Sequence, residues 1–95
     1  MAQHAVVGHV NIKGGRGDEA TKMLNEQVVP RLKGQAGRVA AWWTRSLDGT
    51  KGVSVVVFES KEAADAALAN MMQGRNPDDP VEMASAEVYE VLASL

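Results

Sequence analysis

The stretch Val53-Ser54-Val55-Val56-Val57-Phe58 is apolar on both alternations of an extended chain. A β-strand turns successive side chains to opposite faces, so the three valines at odd positions share one face and Val56 and Phe58 share the other. Such a strand is typical of the centre of a sheet that is covered on both sides. The rest of the chain offers two helical stretches, which suffice for one face of a small sheet. The pattern therefore predicts that something outside this chain covers the other face of the sheet.

The composition restricts the class of protein. The 95 residues are 45% hydrophobic and 23% charged, which predicts one globular domain spanning residues 1–95. A net charge of −2 gives no basic field for nucleic acid or anionic lipid, and the absence of cysteine excludes disulfides, thiolate metal sites and cysteine nucleophiles. No apolar segment approaches the ~20 residues of a membrane span, and the first residues lack a signal-peptide pattern. We therefore expect a cytoplasmic protein.

The first half of the chain predicts a strand and then a helix. Residues 5–12 alternate, with Val6, Gly8, Val10 and Ile12 on one face and Ala5, Val7, His9 and Asn11 on the other. Three glycines within residues 14–17 end this strand. Asp18 is the predicted N-cap of a helix whose apolar residues recur at helical spacing as far as Leu32. Pro30 is expected to end or kink the helix near Val29.

The second half predicts a hairpin, a helix and a last strand. Asp48-Gly49 is a strong hairpin signal after a strand over residues 38–46, and a turn centred there places Trp43 opposite Ser54 and Trp42 opposite Val55. Ser60 is the predicted N-cap of an alanine-rich helix. A loop over residues 74–80 and a strand over residues 83–92 follow.

This order predicts an α+β, ferredoxin-like βαββαβ fold, in which a four-stranded antiparallel sheet carries two helices on one face. The helix-free face is expected to expose Val7, Trp43, Val56 and Phe58, together with Val39 and Ala41. Each buried Val or Phe contributes about 1.5–3 kcal/mol, so this face favours a partner. A second copy is the simplest partner, because two-fold homodimers are the commonest oligomers. Two sheets closing on each other would form a barrel, with His9, Asn11 and Ser54 lining the pocket between them.

Three short segments carry a family resemblance. They are Lys13-Gly14 after the first strand, Gln35-Ala36-Gly37 after the first helix and Phe58-Glu59-Ser60-Lys61-Glu62-Ala63 after the third strand. With these segments the chain resembles the dimeric α+β barrel superfamily, and within it the antibiotic-biosynthesis-monooxygenase type. The resemblance implies a ferredoxin-like subunit, a homodimer and a cavity between sheet and helices. The family includes cofactor-independent oxygenases of polyketides, heme-degrading monooxygenases and members without known activity.

The residues of the heme-degrading members are not matched here. Their asparagine on the first strand falls at Val7, their tryptophan after the third strand falls at Phe58, and the second helix has no histidine to ligate heme. The resemblance therefore implies neither heme degradation nor a cofactor.

Four side chains are candidates for a role in the pocket, and each has a structural alternative. His9 could act as a general base, because the pKa of imidazole lies near neutrality, or it could be a hydrogen-bonded strand residue. Trp43, with Phe58 as a second wall, could stack on an aromatic ligand or pack at an interface. Tyr89 could donate a hydrogen bond to a bound oxygen atom or cover the sheet edge.

Other kinds of site have less support. His4 and His9 lie on opposite strand faces without a third ligand nearby, so no metal site is predicted. The glycines at 14–17 match no phosphate-binding pattern. Residues 51–58 loosely resemble the RNA-recognition motif. Val53 and Val55, however, stand where that fold has aromatic rings that stack on bases, so RNA binding has little support.

The hypothesis from sequence is a homodimer that binds a small apolar or aromatic molecule. If it is an enzyme, the resemblance implies a cofactor-independent monooxygenase in which His9 is the base and Asn11, Trp43, Ser54, Phe58 and Tyr89 surround the ligand. The alternative is a non-catalytic dimer that serves as a binding, stress-response or accessory protein.

Overall fold

Four strands and two helices follow one another in the order that the sequence predicts. The computed structural model describes residues 2–73 and 78–95. The strands are β1 (His4–Ile12), β2 (Arg38–Arg45), β3 (Lys51–Phe58) and β4 (Val81–Glu90). The first helix runs through residues 17–33 as α1 (Gly17–Met23), a π-helical segment (Leu24–Val28) and α2 (Val29–Lys33), and the second helix is α3 (Lys61–Gln73). The part of the predicted loop at residues 74–77 lies outside the described residues.

The strands form one antiparallel sheet in the order β2-β3-β1-β4. The two central strands, β3 and β1, are the two with the most apolar character, and the second helix packs on one side of them. This topology confirms the predicted ferredoxin-like α+β fold. In the part of the chain that the structure describes, neither helix has the length and apolar character to cross a membrane.

The core lies between the even-numbered residues of β3 and the second helix. Phe58 and Val6 are fully buried, with Val56 beside them, and they pack against Ala64 and Ala67 of α3. The close fit of two alanines lets the helix approach the sheet, so that small residues on the helix complement large ones on the strand. Removing any of these large side chains would leave a cavity.

The hairpin register is confirmed, but the expected membership of the helix-free face is wrong. Trp43 pairs with Ser54 and Trp42 with Val55, as the Asp48-Gly49 turn predicts. Trp43, Val56 and Phe58 nevertheless face the helices, together with Ala41. The reason is that Val6 pairs with Val56 across β1 and β3, so that the face of β1 that packs on the helices determines the face of β3.

The helix-free face is still apolar, with a different set of residues. Paired positions on the central strands place Val7 beside Val55, and Val53 and Val57 flank Val55 on β3. Trp42 lies on the same face and is 57% exposed. A contiguous apolar surface of this kind is typical of an interface, so the prediction of a partner on this face now concerns these residues.

The first helix accommodates its proline by widening. The Val29 N–H donates to the Leu24 carbonyl, an i to i−5 hydrogen bond, immediately before Pro30. Pro30 has no N–H and its ring would collide with the carbonyl of a regular preceding turn, so a wider turn relieves both problems. The helix therefore continues to Lys33 and does not end near Val29.

Two predicted caps have different outcomes. Asp18 is not the N-cap, because the helix begins at Gly17 and Asp18 lies in its first turn. At the second helix, the Ser60 Oγ accepts a hydrogen bond from the Ala63 N–H at 3.1 Å, as an N-cap serine does.

Candidate functional site

A cavity of about 900 Å³ lies between the sheet and the first helix. It exists because the helix-facing residues of β3 become small toward the start of that strand, with a glycine beside them on β1. Phe58 and Val56 fill the space at one end of β3, but Ser54 and Gly52 follow them on the same face, and Gly8 lies beside Ser54 on β1. Since side chains this small leave the space above them unfilled, the first helix spans a gap here.

The wall of the cavity is apolar and flexible. The first helix contributes Met23, Leu24 and Val28, and the widened π-helical turn therefore lies directly over the cavity. Trp43, Met71 and Met83 close the sides. Methionine side chains are unbranched and polarisable, so they can adapt to ligands of different outline and pack on aromatic rings.

A β-bulge in β4 turns two residues into the cavity. His9 pairs with Ser85 and Val10 with Met83, so Ala84 has no partner on β1. If the same residues paired without a bulge, Ala84 would lie opposite Val10 and Met83 would turn to the helix-free face. The bulge instead places Met83 and Val81 in the cavity lining.

The rim of the cavity carries the charged residues. Arg45 of β2 lies on one side, and Lys13, Asp79 and Glu82 lie on the side of β4. Arg16 links the start of the first helix to the segment before β4, since it forms an ion pair with Glu19 and its Nη2 donates to the Asp78 carbonyl oxygen at 2.9 Å. The hydrogen bond that Arg16 donates to Glu19 is the main cause that raises the pKa of Arg16, so Arg16 stays charged.

The six candidate residues predicted from the sequence lie on two different sides of the sheet. Trp43 and Ser54 line the cavity, with Ser54 only 9% exposed at its floor. Phe58 is buried in the core and does not line the cavity.

The other three candidates lie on the opposite side of the sheet. His9 and Asn11 are exposed on the helix-free face, and Tyr89 lies on that face with 48% of its surface exposed. The six residues therefore do not assemble into one site within this chain. Neither histidine lines the cavity, and no group of three or more His, Asp or Glu residues that could hold a metal ion occurs within residues 2–73 and 78–95.

Reasoning from sequence missed the helical wall and the cationic rim. The methionines and Leu24 look like ordinary core residues at helical spacing, and Arg45 looks like a solvated strand end. The signal that could have revealed the cavity is the run of small residues at alternate positions, Gly52 and Ser54 on β3 and Gly8 on β1, on the face that packs on helices.

Neither a protein-family model nor a curated protein sequence matches the chain significantly. Solved structures do match. The heme-degrader MhuD from Mycobacterium tuberculosis, with two hemes bound in its active site, has a TM-score of 0.72 at 20% identity and covers 97% of this chain and 98% of its own. The monooxygenase of the gene ActVA-Orf6 from Streptomyces coelicolor, in complex with nanaomycin D, has a TM-score of 0.67 at 17% identity and covers 99% and 91%.

A dimeric ferredoxin-like protein from an uncultured marine organism has a TM-score of 0.68 at 12% identity and covers 100% of both chains. Further matches include proteins of the antibiotic-biosynthesis-monooxygenase type. At these identities the likeness establishes the fold, and it confirms that the chain has the α+β fold of that type.

Proposed function

We propose that this protein binds a small apolar or aromatic molecule in the cavity between the sheet and the first helix. The observation that carries the proposal is the cavity itself, about 900 Å³, with an apolar wall around the buried Ser54 hydroxyl. Ligand sites of proteins have volumes of roughly 300–1,000 Å³ and combine apolar walls with a few polar groups. Trp43 supplies a flat surface for an aromatic ring.

The proposal includes a homodimer joined through the helix-free sheet faces. Val7, Val53, Val55 and Val57 form the centre of that face, and Trp42 is 57% exposed on it. Pairing with a second copy would bury these side chains, each contributing about 1.5–3 kcal/mol when fully buried. The likeness to a ferredoxin-like protein that is dimeric supports the proposed homodimer.

Cofactor-independent oxygenation is the second candidate function, and the likeness to the ActVA-Orf6 monooxygenase favours it. In such a reaction an electron-rich aromatic substrate supplies two electrons and two protons, one atom of O₂ enters the ring and the other leaves as water. The role of His9 as the base stays a prediction from sequence, and its exposed position on the helix-free face gives that role no support. A non-catalytic binding protein is the alternative within the same proposal.

Native mass spectrometry of the purified protein tests binding and assembly together. The expected result is a dimer that retains a small molecule, which is lost from a Leu24→Trp variant whose larger side chain projects into the cavity and obstructs it. His9→Ala is the matched control, because His9 does not line the cavity and its removal should leave the bound mass unchanged. Bound ligand that survives Leu24→Trp would contradict the proposed site. Oxygen consumption with the identified molecule then distinguishes an oxygenase from a binding protein.

A further inference from the structure

Arg45 holds a cationic group at the rim of the cavity. It is the last residue of β2 and pairs with Gly52, and it faces the same side of the sheet as Trp43. Its side chain lies against the start of the first helix, since its Nη1 is 3.4 Å from the position that a Cβ would occupy at Gly17. The absence of a side chain at Gly17 lets the guanidinium approach the helix and reach the cavity lining.

Among the residues that the structure describes, no ion pair joins a carboxylate to this guanidinium. The acidic rim residues Asp79 and Glu82 belong to the opposite edge, because β2 and β4 are the two outer strands. Three strand spacings separate those edges, about 14 Å in all. The rim therefore presents Arg45 alone on the side of β2, and Lys13 together with two acidic residues on the side of β4.

We propose that the cavity ligand carries an acidic group at the end of an apolar ring system, and that Arg45 binds this group. The inference rests on the proposed function, because it names the chemical class of the ligand of the same cavity. The guanidinium can donate two parallel hydrogen bonds to a carboxylate or sulfonate, while the methionines and Trp43 enclose the rings. The net charge of −2 disfavours anions in general, so selection of an anion requires this local group.

A pair of dyes with the same rings tests the proposal. Anilinonaphthalene sulfonate and the neutral phenylnaphthylamine differ only in the sulfonate, so the ratio of their dissociation constants isolates the contribution of the anionic group. Arg45→Gln should weaken the sulfonate relative to the neutral dye by about threefold to tenfold, as expected for a charge-assisted hydrogen bond at a partly exposed site. Arg45→Lys should keep part of the preference, because lysine retains the charge without the planar pair of donors.

Two variants make the outcomes distinguishable. Arg31→Gln changes the net charge by the same amount at an exposed position outside the cavity lining, so it should leave the ratio unchanged. Equal effects of Arg31→Gln and Arg45→Gln, or no effect of either, would overturn the role of Arg45 while the neutral dye still binds. Leu24→Trp should weaken both dyes. If it weakens neither, both dyes bind outside the cavity, and the proposed function fails together with this inference.

Discussion

Ser54 of β3 lies directly against Gly8 of β1: a Cβ built on Gly8 would stand 2.8 Å from the Ser54 Oγ. The next nearest atoms are the Sδ and Cε of Met83, at 3.6 and 3.8 Å. The floor of the cavity is thus made by a side chain from one strand occupying the space that glycine leaves on its neighbour. This contact couples the two central strands at the point where the cavity begins.

Gly8→Ala should therefore destabilise the fold by about 1–3 kcal/mol, the usual cost of overpacking a filled space. In a Ser54→Gly background most of this cost should disappear, because the clashing hydroxyl is gone, and the double-mutant cycle should show the coupling. Urea unfolding of the four proteins measures it. Gly14→Ala is the control, since nothing lies within 4 Å of the Cβ it would add. A cost for Gly8→Ala that is unchanged without Ser54 would contradict the contact.

The fold could be predicted because its signals are local. The apolar alternation of residues 53–58, the Asp48-Gly49 turn and the Ser60 cap each determine structure over a few residues, and the order of elements then restricts the topology. The cavity could not be predicted in the same way. It depends on which face of β3 the helices cover, and that is determined by the pairing of Val6 with Val56 rather than by any local pattern.

The π-helical turn and the β-bulge show a second limit of predicting structure from sequence periodicity. Pro30 predicts that the helix ends or kinks near Val29, but the turn before Pro30 widens and the helix continues to Lys33. Ala84 adds one residue to β4 and so inverts the alternation that places Met83. Both features interrupt the regular period of their element, whereas a period-based reading of the sequence assumes that the period is uninterrupted.

The two adjacent tryptophans should have separable effects. Trp42→Ala should weaken the proposed dimer, because Trp42 lies on the helix-free face, and should leave dye binding in the cavity unchanged. Trp43→Ala should weaken dye binding and leave the dimer intact, because Trp43 lines the cavity. Sedimentation velocity and dye titration measure the two properties. Loss of both properties in each variant would contradict the separation of interface and cavity.

The hairpin turn predicts a dependence of stability on acid pH. The carboxylate of Asp48 accepts hydrogen bonds from the Ser46 hydroxyl and from the backbone and hydroxyl of Thr50, which together lower the pKa of Asp48 from its ordinary 3.8 to about 2. Because the pKa of Asp48 is lower in the folded than in the unfolded state, its ionised carboxylate stabilises the fold above pH 4. This contribution is lost as the pH falls toward 2. The stability difference between the wild type and Asp48→Asn should shrink over that range. A difference that is independent of pH would contradict this assignment.

Tyr89 provides a test at alkaline pH. A hydrogen bond with Glu87 raises the pKa of Tyr89 above its ordinary value of 10.0, because the carboxylate favours the protonated phenol. Its stabilising contribution is therefore present below pH 10 and lost as the pH rises through the folded pKa. Tyr89 is the one tyrosine of the chain, so ultraviolet difference spectroscopy follows it directly. Glu87→Gln should shift its titration toward 10, and an unchanged midpoint would exclude this hydrogen bond.

Deleting Ala84 tests the register that places Met83 in the cavity. Without the extra residue, β4 should pair regularly with β1, with Met83 next to Ser85 in the chain and still opposite Val10, so that Met83 keeps its place in the cavity lining. The affinity for the neutral dye should therefore stay close to that of the wild type, whereas Met83→Ala in the full-length chain should weaken it. Ala84→Ser is the matched control, as it keeps the length of the strand. If the deletion variant folds but binds the neutral dye as weakly as Met83→Ala, Met83 has left the cavity and the pairing of Val10 with Met83 is contradicted.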